Sequence, residues 1–383
     1  MKRYIVLLTT FYSVMTVGQV KNSYEAVDKQ MSKIPANYIN STQDIANFIM
    51  NNFENDDDKI RAVFYWTASN ISYDVQNMFA VNFNETRQDK IDKALKTRKG
   101  VCINYAEVFN DVSNKIGIES FVIEGYTKQN GVTDYISHAW CGVKINGKWF
   151  LFDPTWGSGY VNGGKFVKKI NSYYFKTDPA KIITSHMPFD YMWQFLNYPI
   201  TNQEFYAGNF VINKSKALFD FDGEIQKYKS LSDIDKLISS ANRIEKNGVK
   251  NAMIFDRLSY KRNEVEILKF NQIVSSYNEG VNELNVFIAF RNKQFKPTIS
   301  DEELKKMIES PRNKLLKSKE LLDNIGTVSK NNQGNVTSLS AGINQTLSQA
   351  EEQFLFVEKY LSKSKLVRKT MFSKVTWMGI PMN

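Results

Sequence analysis

Long apolar runs are scarce in this 383-residue chain. No segment approaches the ~20 continuous apolar residues of a membrane span, so an integral membrane protein is not expected. Histidine and cysteine are scarcer still, with two of each. Two separated histidines and no clustered thiols give no ligand set, so no metal is expected, and no cofactor is indicated. Also missing is any recognition motif that interleaves basic and aromatic residues. The formal net charge is +10 and most of it falls after residue 200. There Lys and Arg alternate with Asp and Glu, as on solvated helix faces. Such a diffuse excess favours acidic surfaces in general and does not indicate nucleic acid.

What is present is the composition of a folded protein, 42% hydrophobic and 23% charged, which lies outside the disordered range. The length suggests two folded units. The N-terminus, residues 1–18, has the pattern of a secretory signal. Lys2 and Arg3 form the positive flank, Tyr4 to Val17 the apolar stretch, and Thr16 and Gly18 the small residues before Gln19. No cysteine follows to carry a lipid anchor. The mature chain is therefore expected to be exported, to the periplasm or the outside of the cell.

Residues 19–200 read as an α+β domain, 201–230 as a connecting segment with room for strands, and 231–383 as a helical bundle or coiled-coil-like domain. Ile45, Phe48, Ile49 and Phe53 recur at helix spacing, and Asn55 with Asp56, Asp57 and Asp58 opens a second helix. Carboxylates at a helix start satisfy free N–H groups, which accounts for the acidic run better than a cation does. A third helix is predicted from Ile103 to Ile116. Strands follow at Phe121–Ile123, Tyr135–Ile145 and Trp149–Asp153, a helix-then-meander order that indicates α+β. Phe205 to Phe221 is aromatic and could add strands. Beyond it, Val265, Leu268, Tyr277, Val281, Leu284 and Ile288 keep helical spacing. Ser300 and Glu303 form a capping box. Pro311 argues for a break in that helix, and Gly326 for its end. Ser329 to Ser340 looks like a loop before a last helix through Leu347, Phe354, Val357 and Leu361.

The chemistry concentrates near one turn, Ile145-Asn146-Gly147-Lys148. Asn-Gly between alternating runs is a strong signal for a two-residue type I′ hairpin. If Ile145 faces Lys148, then Cys141 lies opposite Phe152 and Trp140 opposite Asp153. His138, Trp140, Leu151 and Asp153 then share one face, with His138 and Asp153 diagonal neighbours. Cys141 falls on the other face and reads as a small buried hydrophobe. Cys102 stands at the first turn of the predicted helix, where N–H groups and the dipole favour a thiolate. Arg98 and Lys99 add positive charge, and Gly100 permits close backbone approach. Docking the helix N-terminus on the hairpin face would complete a nucleophile, base and orienter: Cys102, His138 and Asp153. A Cys102–Cys141 disulfide is the competing structural reading.

Three segments together resemble the motifs of the transglutaminase-like superfamily. They are Gly100-Val101-Cys102 with Tyr105-Ala106, Ser137-His138-Ala139-Trp140, and Phe152-Asp153-Pro154-Thr155-Trp156-Gly157. The likeness is strongest to the branch related to the kyphoscoliosis peptidase and covers about residues 40–197. It implies a papain-like core, with a Cys-bearing helix on an antiparallel sheet, ahead of the mainly α-helical C-terminal domain. It also implies the catalytic roles of Cys102, His138 and Asp153, in a bacterial exported protein. Tyr105, Trp140 and Trp156, within the motifs, are expected to line the site. The oxyanion would be held by the Cys102 N–H and a second donor, with Tyr73 and Trp66 the candidates. His186 resembles a position common in the branch and reads as structural. The activity implied is amide hydrolysis or acyl transfer on a protein or peptide through a thioester. The alternative is a binding or scaffolding protein that keeps the fold and meets a protein partner through its helical region.

Overall fold

A computed structural model describes residues 24–79, 85–330, 332–372, 376–377 and 380–381. The expected export signal, residues 1–18, lies outside them. Among the described residues no helix is long and apolar enough to cross a membrane. The chain divides into residues 1–221 and 222–383.

The first unit is α+β. Helices Thr42–Asn52, Asp56–Asn70, Arg87–Thr97 and Cys102–Lys115 bury Ile45, Ile49, Ile60, Phe64, Ile91, Tyr105 and Phe109 in one core. Their starts are locally encoded. Asn55 Oδ1 accepts the Asp58 N–H at 2.8 Å, and Thr86 forms a capping box with Asp89.

Against this layer stands a four-stranded antiparallel sheet. Its order is Lys148–Phe152, Val132–Ile145, Ser120–Gln129 and His186–Pro188. The predicted hairpin register holds. Ile145 pairs with Lys148, Val143 with Phe150 and Cys141 with Phe152, while Asn146 and Gly147 take the positive φ of a type I′ turn. A second Asn-Gly turn, Asn130-Gly131, closes the preceding hairpin with the same sign of φ. The strand His186–Pro188 has no readable alternation at three residues. It can lie beside the sheet because residue 125 is glycine: a Cβ there would come within 2.1 Å of the Met187 carbonyl oxygen. A short parallel pair, Ser72–Tyr73 with Lys99–Gly100, sets Tyr73 opposite Gly100, two residues from Cys102.

Faces sort as the period of two requires. Ala139, Cys141, Val143 and Phe152 share the core with Tyr105, Ala106 and Phe109 of the Cys102 helix. The helix body therefore covers the Cys141 face, while its N-terminal residue Cys102 comes to the His138 ring. Ala106 and Phe109 supply the apolar surface that Cys141 and Phe152 bury, so the face of His138, Trp140 and Leu151 is left for other partners.

Segment 201–230 forms no strand among the described residues. Phe205 sits in a capped helix, Asn202–Ala207, where Thr201 and Glu204 complete a capping box, and Phe221–Ser230 is also helical. The second unit is built on three long helices, Ala252–Asn292, Asp301–Asp323 and Gln333–Leu361. Leu284, Phe287, Leu304, Ile308, Leu315, Ala350 and Val357 form its main core. Ser300 caps the middle helix with Glu303, as predicted. Pro311 does not break it and Gly326 does not end it. Pro311 is buried beside Gly280 of the first long helix, where a Cβ would stand 2.8 Å from Leu315 and 3.2 Å from the Pro311 carbonyl. Close packing there offsets the lost backbone hydrogen bond. The predicted loop 329–340 is helical from Gln333 onward, because Val336 and Leu339 pack with Ile273 and Ile343.

Candidate active site

Cys102 opens its helix after Val101, whose backbone is extended. Asn104 turns back to accept the Val101 N–H at 2.9 Å and donates to the Lys90 carbonyl at 3.0 Å, which fixes the first turn. Gly100 is needed here, since a Cβ would meet the Asn104 side chain at 2.6 Å. Cys102 is half-buried and Cys141 buried, and both are free thiols, so the disulfide reading is excluded. Cys141 donates to the Ala106 carbonyl at 3.3 Å, and burial pushes its thiol well above the ordinary value. Arg98 does not reach the thiol. Its guanidinium lies 5.2 Å over Trp66 and donates to the Ile39 carbonyl, so the positive charge expected from it is turned into the helical layer.

His138 comes from the sheet and is nearly buried. Its Nε2 donates to Asp153 Oδ2 at 2.8 Å, while the Cys102 thiol lies in hydrogen-bonding reach of the same ring. Burial disfavours the imidazolium, but the Asp153 charge and hydrogen bond outweigh it, with Cys102 adding to them. The ring is pushed up to about 10 and is cationic at neutral pH. Asp153 follows the last residue of its strand and is wholly buried. Oδ1 accepts the backbone N–H groups of Thr155 and Trp156 at 2.8 and 3.1 Å. Oδ2 accepts from His138 and also from His186, the latter at 3.2 Å. Burial alone would raise this carboxyl. The two imidazoles hold it far below the usual range instead.

The two histidines, separated by 47 residues in sequence, are therefore brought onto one carboxylate oxygen. This overturns the premise that they stand apart. The three residues have their candidate ligand atoms within 4.8 Å of one another. Each imidazole already spends its Nε2–H on Asp153, so the cluster reads as a relay of hydrogen bonds.

A cleft of about 1000 Å³ runs up to His138, lined by Tyr73, Thr155, Trp156, Tyr135, Tyr160 and Tyr174 among others. Of the residues expected at the site, Tyr73 and Trp156 line this cleft. The Tyr73 hydroxyl is kept protonated by burial and by the nearby Cys102 and Asp153. Trp156 stands 5.5 Å from the His138 ring. Three expectations need correction. Trp66 is enclosed in the core and is no cleft donor. Tyr105 is buried, with its hydroxyl donating to the Ile71 carbonyl at 2.7 Å, and so braces the helix instead of lining the site. Trp140 is buried behind His138 and His186, 6.0 and 5.1 Å from their rings, as a wall. Thr155, which sequence reasoning did not single out as a site residue, lines the cleft with a buried hydroxyl oxygen that has no protein partner.

Residues 43–154 match the family model of the transglutaminase-like superfamily. The chain carries a transglutaminase-like domain. The kyphoscoliosis peptidases of Mus musculus and Homo sapiens are each 29% identical to it over 190 residues. That alignment spans 48% of this chain and only 28% of each peptidase. Among solved structures, the periplasmic domain of TgpA from Pseudomonas aeruginosa is 20% identical, with a TM-score of 0.25, covering 34% of this chain and 46% of that one. Within this domain the matched segment carries Cys102, His138 and Asp153, and ends at Pro154.

Proposed function

We propose that this chain is an exported cysteine-dependent amide hydrolase or acyltransferase acting on protein or peptide through a thioester on Cys102. The observation that carries the reading is the buried His138–Asp153 pair with a free, half-buried Cys102 at the same imidazole. A merely structural histidine has no need of a fully desolvated carboxylate to keep it charged. The name of the mouse and human relatives, peptidase, supports the same reaction class.

In this reading the Cys102 sulfur, paired with the His138 imidazolium, attacks the amide carbonyl. A C–S bond forms and the carbonyl electron pair moves to oxygen. The oxyanion is received in this reading by the Cys102 N–H, in the first helical turn where such groups have no intrahelical acceptor, and by the Tyr73 hydroxyl, which lines the cleft. Collapse breaks the C–N bond, and the departing amine takes the proton from His138. Water or a second amine then attacks the thioester carbonyl and gives a proton to His138; collapse breaks the C–S bond, releases the acid or the new amide, and restores the pair of Cys102 thiolate and His138 imidazolium. The cleft is open and rich in tyrosine, suited to a side-chain-bearing polypeptide.

Labelling with iodoacetamide tests the proposal directly. Cys102 should be alkylated much faster than Cys141 in the native protein, and Cys102→Ala should abolish amide turnover. Equal, slow labelling of the two thiols would sink the reading. Cys102→Ala retaining full biological effect would favour the scaffolding alternative.

A further inference from the structure

His186 stands outside the Cys102–His138–Asp153 set, on the edge strand His186–Pro188. It is buried, and its two nitrogens are both engaged. Nδ1 lies 2.8 Å from Ser185 Oγ and Nε2 lies 3.2 Å from Asp153 Oδ2. An ionised carboxylate can only accept, so Nε2 carries the hydrogen and Nδ1 accepts from the Ser185 hydroxyl. One tautomer is thereby fixed. The rings of Trp140 and Trp156 meet His186 edge-on at 5.1 and 4.7 Å and pack against it on two sides. The titratable groups that face it are Asp153, His138, Asp134 and Tyr174. Burial pushes its imidazole below the ordinary value; Asp153 opposes this and the His138 charge adds to it.

A space-filling histidine would satisfy its N–H on any nearby carbonyl. This one donates to the single oxygen that orients His138. We propose that His186, held by Ser185, is a positioning residue that fixes the rotation of the Asp153 carboxylate and shares its charge with His138. The proposal rests on the reading of Cys102 as nucleophile. Asp153 has two backbone donors on Oδ1 and two imidazoles on Oδ2, so no rotation improves one contact without loss at another. Without His186, Oδ2 would face His138 alone. The carboxylate would bind the His138 proton more tightly, yet be freer to tilt away from the productive geometry.

The test uses the full chain and the variants His186→Phe, His186→Gln and Ser185→Ala. The rate of Cys102 alkylation by iodoacetamide is measured against pH by mass spectrometry, with the Cys141 peptide as internal control and a thermal melt for each variant. His186→Phe should slow Cys102 alkylation about tenfold, the scale of one charge-assisted hydrogen bond, and move the alkaline limb to higher pH. His186→Gln, whose amide can still donate, should recover most of the rate. Ser185→Ala should act in the same direction by a smaller factor. An unmoved alkaline limb in His186→Phe overturns the proposal, as does Gln rescuing no better than Phe. Should His186→Phe fail to fold, Ser185→Ala decides alone, because Ser185 is half-buried at the cleft rim; an unchanged rate and limb there overturn it. Cys102 reacting no faster than Cys141 in the unaltered chain instead brings down the nucleophile reading itself.

Discussion

Replacing Asp153 by asparagine should remove most of the charge-dependent stability of the site, and the size follows from His138. The ring is pushed up to about 10, against 6.5 for an ordinary imidazole. A group raised on folding contributes stability that is complete below the unfolded value and is lost as pH rises through the folded one. The full difference is about 5 kcal/mol at 1.36 kcal/mol per pH unit, and about 4 kcal/mol of it is expressed at pH 7. The depressed Asp153 carboxyl is the same interaction seen from the other side, so it is not added. Asparagine keeps the shape but cannot serve all four donors. With Oδ1 on the Thr155 and Trp156 N–H groups, its NH₂ faces the Nε2 atoms of His138 and His186. There His138 would have to give up its Nε2 proton, and His186 would have to change tautomer. The resulting loss falls within the ~3–5 kcal/mol expected for removing one partner of a buried ion pair. Urea unfolding of the two proteins at about pH 6, 7 and 10 measures it. The gap should be largest at pH 6 and shrink toward pH 10. A gap below about 1 kcal/mol at pH 7, or one that is flat from pH 6 to 10, would refute the reasoning.

Other outcomes follow from the same geometry. Because the His138 imidazolium persists until pH passes about 10, the alkaline limb of Cys102 alkylation should lie near that pH in the unaltered protein; a limb near neutrality would contradict the pairing. Arg61 is buried, forks onto Asp28 through two 2.7 Å bonds and donates to Ser172. Arg61→Ala should cost about 3–5 kcal/mol in urea unfolding, since it removes the buried guanidinium that forks onto the Asp28 carboxylate. Gly157→Ala should destabilise by about 1–3 kcal/mol, since its Cβ would stand 2.4 Å from the Phe64 ring and 2.9 Å from the Asp153 carbonyl. It should slow Cys102 alkylation as well, whereas a silent Ala would mean that the Asp153 loop gives way freely. Tyr105→Phe should cost about 0.5–1.5 kcal/mol by removing one of two donors to the Ile71 carbonyl, Lys168 Nζ being the other at 2.9 Å, and a thermal shift near zero would count against that brace.

Much of the site was already written in short stretches of chain. The two-residue period of a strand and the left-handed preference of Asn146-Gly147 were enough to pair Cys141 with Phe152 and to separate Cys141 from His138. Those rules act between neighbours along the chain, so the sequence alone determined them. The Asn130-Gly131 turn carries the same signal and could have been found by it. The helix starts at Asn55 and Ser300 are local as well. Tertiary structure decided the rest. Which sheet face the Cys102 helix covers depends on how Ala106 and Phe109 meet Cys141 and Phe152, surfaces about 35 to 45 residues apart. Pro311 stays within a helix because Gly280, on another helix, lets the backbones close. Asp153 gathers His138 and His186 onto one oxygen only after a three-residue edge strand, too short to show any period, has paired with the sheet. Periodicity reports which face a residue takes; which distant surface meets that face is fixed by packing, and it was packing that brought the second histidine to Asp153.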